Sequence, residues 1–189
     1  MIDITLKLDK ENKVWDRFKL NESTLLSAGH MGTHLDVYNH SQVPLEYFKS
    51  KCKIIDCEKY DFDKEIGIEV LEGKVIDKGD FIIFNTGIQK KYLYGSYFYI
   101  HNHHNLSYEL IEYLLNKKVA FIGIDAAGVR RGKEHKGADI LAEENNTFII
   151  ENLDLEDLKN KNNEFIAYTM WIDNPFATGL STRVILEEV

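Results

Sequence analysis

Residues 30–40 constrain this chain more than any other stretch, because His30, His34, Asp36 and His40 gather three imidazoles and a carboxylate around one glycine, Gly32. On a single helix, at about 100° per residue, His30 and His34 share a face while Asp36 and His40 fall on the opposite one. On a single strand all four positions share a face, but ten residues at about 3.3 Å each span roughly 33 Å. No single ion reaches that far. What remains is a composite: His34 and Asp36 point the same way from a short extended piece, a turn at Gly32 folds His30 back beside them, and His40 returns over a second bend.

Neutral imidazole and carboxylate together suit zinc, manganese or iron(II) rather than calcium, which prefers an all-oxygen shell. A lone histidine is most often a surface or hydrogen-bonded core residue. Three of them with an aspartate about a glycine turn point instead to a metal site.

The chain has 189 residues, 44% of them hydrophobic, which predicts one domain over residues 1–189 able to bury about 70% of its unfolded surface. The net charge of −8 argues against nucleic acid or an anionic membrane as partner. Cys52 and Cys57 fit neither a zinc knuckle nor a redox pair, and on one strand their opposite parity sends them to opposite faces as free buried thiols. The N-terminus lacks a basic region followed by an apolar one, and no apolar run reaches the ~18 residues of a membrane helix. A cytoplasmic protein is expected.

Ile2, Ile4, Leu6 and Leu8 alternate and predict an opening strand. Residues 11–27, with Trp15, Phe18, Leu20, Leu25 and Leu26, read as an approach to the site, Trp15 and Phe18 serving either the core or a pocket wall. Residues 44–48 suggest a short turn or helix. Residues 53–57, 66–71 and 81–84 suggest strands, the last ending in a glycine turn at Gly87. Tyr92, Tyr94, Tyr97, Phe98 and Tyr99 form an aromatic patch suited to a subunit contact or a pocket wall. Ser107 is positioned to cap a helix over 108–115 with an apolar stripe of Leu110, Ile111, Leu114 and Leu115, followed by a strand over 119–125. The same order recurs in a helix from Ala138 and a strand over 147–153, an α/β arrangement. A short helix over 155–161, a solvated turn over 159–163 and closing strands over 165–172 and 184–186 complete the reading.

His30-Met31-Gly32-Thr33-His34-Leu35-Asp36-Val37-Tyr38-Asn39-His40 resembles the signature His-x-Gly-Thr-His-x-Asp-x-Pro-x-His of the cyclase-type metal-dependent hydrolases, which include bacterial kynurenine formamidase and isatin hydrolase. Tyr38 stands where the family has proline, which would have fixed φ there. The likeness continues through His103–Ser107 (the family's His-Pro-x-Leu-Ser element), residues 79–87 and 122–125, Glu151-Asn152-Leu153 and residues 179–184. It implies an α/β fold with a mixed β-barrel-like core and flanking helices, of the swivelling β/β/α type, usually a homo-oligomer such as a dimer or tetramer. It implies one or two divalent ions, zinc or manganese, on His30, His34 and Asp36, with Glu151 as a second, bridging carboxylate and His40 as general acid/base. Twelve residues before the glutamate, where formamidase-like members have histidine, this chain has Asp139. Either Asp139 replaces that imidazole, or His135 reaches in from one turn earlier, or the second metal is absent. Asp139 also suits a surface place in the first turn of its helix.

The resemblance implies a metal-dependent hydrolase of an amide or lactam C–N bond in a small molecule, with metal-activated water as nucleophile and His40 carrying protons. Arylformamidase action on N-formylkynurenine, in tryptophan catabolism, is the leading expectation. The rivals are isatin-type ring opening with one metal, and a non-catalytic metal or ligand binder on the same scaffold. The absence of a Gly-x-Ser-x-Gly elbow disfavours a covalent mechanism.

Overall fold

A computed structural model describes residues 1–8, 11–12, 14–15, 24–61, 64–156, 158 and 164–189. Phe18, Leu20 and the turn over 159–163 lie outside the described residues, as does part of the helix expected over 155–161. Among the described residues eight strands form one sheet: β1 (Ile2–Asp3), β2 (His34–Asp36), β3 (Lys49–Asp56), β4 (Phe81–Asn85), β5 (Phe121–Ile124), β6 (Phe148–Glu151), β7 (Glu164–Trp171) and β8 (Gly179–Glu188). Their order is β1-β8-β2-β6-β5-β4-β3-β7, and a further β7–β8 pairing closes seven of them into a barrel. β3, β4, β5 and β6 run parallel to their neighbours in that run, whereas β2, β7 and β8 pair antiparallel. The mixed barrel with flanking helices is the fold that the resemblance implies.

Period-two alternation sorts the strand side chains into two cores. Cys52, Ile54, Phe81, Ile83, Phe121, Phe148 and Ile150 fill the barrel with Leu35, Phe165, Val184 and Leu186. Their neighbours Ile55, Cys57, Ile82, Phe84, Ile122, Ile124 and Ile149 face outward and are covered by helices. Cys52 and Cys57 therefore lie in different cores, both free and buried.

Four helices carry residues used below: α1 (Thr24–Ser27), α2 (Tyr97–His101), α3 (Tyr108–Lys117) and α4 (His135–Glu144). Ser107 caps α3 by accepting from the Leu110 N–H, and Leu110, Ile111, Leu114 and Leu115 are its buried stripe. α4 starts at His135, three residues earlier than the apolar pattern suggests. No helix among the described residues is long and apolar enough to cross a membrane.

Two strand expectations are corrected. The opening strand is only Ile2–Asp3; beyond it the Leu6 N–H donates to the Thr33 hydroxyl instead of a ladder partner. Ile4 thus packs inside the barrel while Leu6 and Leu8 cross to the outer core. Over 66–71 a single bridge pairs Ile66 with Leu106, and a 3-10 turn (Ile68–Leu71) follows.

Gly123 is the one inward position of β5 without a side chain, and a Cβ on it would meet the Phe81 ring at 2.6 Å and Leu153 at 2.7 Å. Overfilling a close-packed interior costs about 1–3 kcal/mol. Gly123→Ala is therefore expected to lower stability by that amount in urea unfolding; a variant as stable as the parent would show that the barrel interior is not close-packed at this point.

Candidate metal centre

β2 and β6 are antiparallel neighbours, with His34 opposite Glu151 and Leu35 opposite Ile150. Because Leu35 and Ile150 point into the barrel, His34, Asp36 and Glu151 all point out of it, toward α4. Gly32, at φ 64°, turns the chain before β2, and His30 comes back beside His34, the ring centres 4.9 Å apart. This is the composite the spacing requires.

His30 is placed by a close backbone approach. Gly29, at φ 99°, lies so near the start of β8 that a Cβ there would stand 1.9 Å from the Gly179 carbonyl oxygen. The Thr178 and Gly179 N–H groups both donate to the Ala28 carbonyl. α4 supplies the other half: His135 and Asp139, four residues apart, share one helical face, and Asp139 is buried. Since α4 starts at His135, Asp139 sits in its second turn, not at the surface of the first.

The donor atoms converge. His30 Nδ1 is 2.9 Å from Asp36 Oδ1 and 3.2 Å from His34 Nε2. His34 Nε2 is 3.5 Å from both Asp36 Oδ1 and Glu151 Oε2. His135 Nε2 is 3.1 Å from Glu151 Oε1 and 3.2 Å from Asp139 Oδ2. Two groups follow, His30 with His34 and Asp36, and Asp36 with His135, Asp139 and Glu151, the ligating atoms in each lying within 4.8 Å of one another. Asp36 belongs to both.

The far side of each β2-loop imidazole fixes its near side. His34 Nδ1 lies 3.0 Å from the Gly32 carbonyl, which can only accept, so Nδ1 carries a proton and Nε2 is the nitrogen turned to the cluster, offering a lone pair when the ring is neutral. His30 Nε2 lies 2.8 Å from the Thr178 hydroxyl, leaving Nδ1 for the cluster. Asn152, next to Glu151, donates from Nδ2 to the same Gly32 carbonyl, while its own carbonyl accepts from the Thr33 hydroxyl.

The carboxylates have no such partners. Both oxygens of Asp36, both of Asp139 and Glu151 Oε1 are buried without a hydrogen bond, although imidazole nitrogens stand close by. Uncompensated buried carboxylate oxygens are costly, and a cation among them removes that cost. The mixed nitrogen and oxygen set fits a transition metal, one ion per group.

Titration follows the same geometry. Burial alone would lower the His34 pKa, but Asp36 and Glu151 outweigh it and raise it to about 9. His135 is likewise raised to about 10, chiefly by Glu151 against its burial. Despite burial, the imidazolium of His34 and the contact with His30 hold Asp36 well below the usual carboxylate range. Burial and the nearby Asp36 charge push the Asp139 carboxyl well above the ordinary carboxylate value.

The cluster opens onto a cavity of about 490 Å³ lined by His30, His34, His135 and Glu151 together with Val14, Leu26, Tyr94, Tyr99 and Ile100. Trp15 packs against the outer core. The aromatic patch divides: Tyr94 and Tyr99 form cavity wall, whereas Tyr97 and Phe98 are exposed on α2. His40 is not brought to the cluster. It is exposed, has φ 56°, and is absent from the cavity lining. Glu143 of α4 accepts from the Asn39 and Ser41 N–H groups and holds this turn over the end of the helix. Tyr38 does line the cavity, its ring 5.2 Å from that of His30 and with Lys136 Nζ 5.1 Å from its centre. Neither Tyr38 nor Thr178 was singled out by residue spacing, since only contacts across the fold give them a role.

A barrel with an imidazole–carboxylate cluster between its outer face and a helix defines a class, and the sequence places the chain within it. The Cyclase family model matches residues 2–131, and the chain belongs to that family. Among solved structures, a potential metal-dependent hydrolase with cyclase activity is 21% identical with a TM-score of 0.75, over 97% of this chain and 95% of its own. An isatin hydrolase bound to the product analogue thioisatinate is 19% identical with a TM-score of 0.68, over 84% and 72%. Isatin hydrolase A from Ralstonia solanacearum is 16% identical with a TM-score of 0.69, over 83% and 71%. At these identities the shared property is the fold. No curated protein matches the sequence.

Because Asp36 belongs to both groups, Asp36→Ala is expected to strip all transition metal from the protein, whereas His135→Ala leaves about one ion; elemental analysis of purified proteins decides, and full metal content in Asp36→Ala would contradict the shared ligand. Metal ligation needs neutral imidazole. With His34 and His135 titrating near 9 and 10 instead of 6.5, protons compete below those values, so metal affinity should rise steadily from pH 6.5 to 9. Chelator competition measures it, and an affinity that is flat over this range would remove these imidazoles from the ligand set.

Proposed function

We propose that this protein is a metal-dependent hydrolase of the C–N bond in a small aromatic amide or lactam. The observation that carries the reading is one cavity lined both by aromatic and apolar side chains and by His30, His34, His135 and Glu151, next to buried oxygens of Asp36, Asp139 and Glu151 that lack hydrogen bonds. N-formylkynurenine and isatin are the open-chain and ring-closed members of one chemical class, the N-aryl amides, and the likeness in fold to isatin hydrolases supports it. Zinc or manganese bound there would polarise the carbonyl and lower the pKa of water to about 7. His30, His34 and Asp36 would hold one ion, and Asp36, His135, Asp139 and Glu151 a second.

Tyr38 adds a hydrogen-bond donor. Burial, together with the charges of Asp36, Asp139 and Glu151, pushes its phenol far above the ordinary tyrosine value. The hydroxyl therefore keeps its proton at any physiological pH and can donate to a substrate oxygen that gains charge. Removing one such donor costs about 10²–10³ in turnover where it acts fully.

Protein loaded with zinc or manganese is expected to hydrolyse N-formylkynurenine or isatin, and to lose activity on chelation. Inactivity toward both, in fully loaded protein, would overturn the reading. Tyr38→Phe should keep the metal and lose at least ~10-fold in kcat; unchanged kcat would remove the phenol from the chemistry.

A further inference from the structure

The expected proton carrier, His40, is outside the cavity, yet another histidine is inside it. His103 is 1% exposed and lines the same cavity as His30, His34, His135 and Glu151. Its Nδ1 lies 3.0 Å from the His104 carbonyl, an acceptor only, so Nδ1 carries the ring proton. Nε2 is then a lone pair. It has no protein partner among the described residues and is not a sealed-off orphan, because it opens to the cavity. Burial holds the ring neutral, lowering its pKa to about 4.

Asn152, Tyr94 and Tyr99 of the same lining are already committed. The Asn152 side chain donates to Gly32 and accepts from the Tyr99 hydroxyl, and the Tyr94 hydroxyl accepts from the Gly32 N–H. His103 thus presents a fixed, neutral acceptor to the cavity. A ligand satisfies it only by bringing a donor.

We propose that His103 is the specificity-determining residue of the cavity, accepting at Nε2 a hydrogen bond from the N–H of an N-aryl amide while its carbonyl faces the metal cluster. This rests on the hydrolase reading above and names the group by which the substrate is chosen. A site built to accept an N–H leaves a buried acceptor unpaired when the ligand lacks it, and so rejects that ligand. N-Aryl amides with a free N–H are then substrates, and their N-alkyl counterparts are not.

The test uses binding of two unreactive probes, oxindole and N-methyloxindole, to the metal-loaded protein by calorimetry. Oxindole is expected to bind at least ~10-fold tighter. In His103→Leu the two should bind within about twofold of each other, and in His103→Gln, whose side-chain carbonyl can accept, part of the preference should return. Metal content is measured on the same samples. In the unmutated protein, the ¹⁵N signal of unprotonated Nε2 should move when oxindole is added and stay when N-methyloxindole is added, which needs no variant to fold. Equal binding of the two probes by the parent protein, an undiminished preference in His103→Leu, an immobile Nε2 signal, or loss of metal in both variants would each overturn the assignment. Isatin hydrolysis without the N–H preference would leave the hydrolase reading standing and remove this one. The preference without hydrolysis would do the reverse.

Discussion

Everything at the candidate centre depends on the register between β2 and β6. Pairing His34 with Glu151 puts an imidazole and a carboxylate side by side on the outside of the barrel, while Leu35 and Ile150 anchor the same two strands inside it. A slip of one residue would exchange these sets, sending charge into the barrel and leucine to the cavity. The hydrophobic interior therefore fixes the position of the polar cluster. The core is what makes the site exact to within a side chain.

Around that register the protein uses short-range devices to aim each donor. Gly29 and Gly179 approach too closely for any Cβ between them, which sets where His30 stands. The Gly32 carbonyl accepts from both His34 and Asn152, joining the turn before β2 to the end of β6. Such outer contacts fix imidazole orientation and tautomer.

Much of this was legible in the sequence, for identifiable reasons. The spacing of His30, His34 and Asp36 points to a bent composite, and the unbroken apolar runs of 81–84 and 148–150 mark strands buried on both faces. The parity of Cys52 and Cys57 gave their separate environments. The question left open between Asp139 and His135 was posed as a choice, but a helix starting at His135 puts both on one face, one turn apart, beside Glu151. Sequence distance misled for His40, where Glu143 holds the turn away from the cavity. Spacing along the chain says nothing about a hydrogen bond made a hundred residues away. For the same reason His103, visible in the sequence only as the start of the His103–Ser107 element, gained a role from which of its nitrogens is already used.

The two halves of the cluster come from distant parts of the chain, the loop and strand of residues 30–36 and the helix–strand unit of residues 135–151. A cation shared by them is a cross-link between α4 and the barrel, and its affinity adds to folding stability by mass action. Without it, several acidic groups sit in a low-dielectric pocket with only the neighbouring imidazoles to offset their desolvation. The pool of folded protein in a cell would then follow the supply of metal, and scarcity would act first on the protein's lifetime against proteases and only afterwards on its rate of turnover.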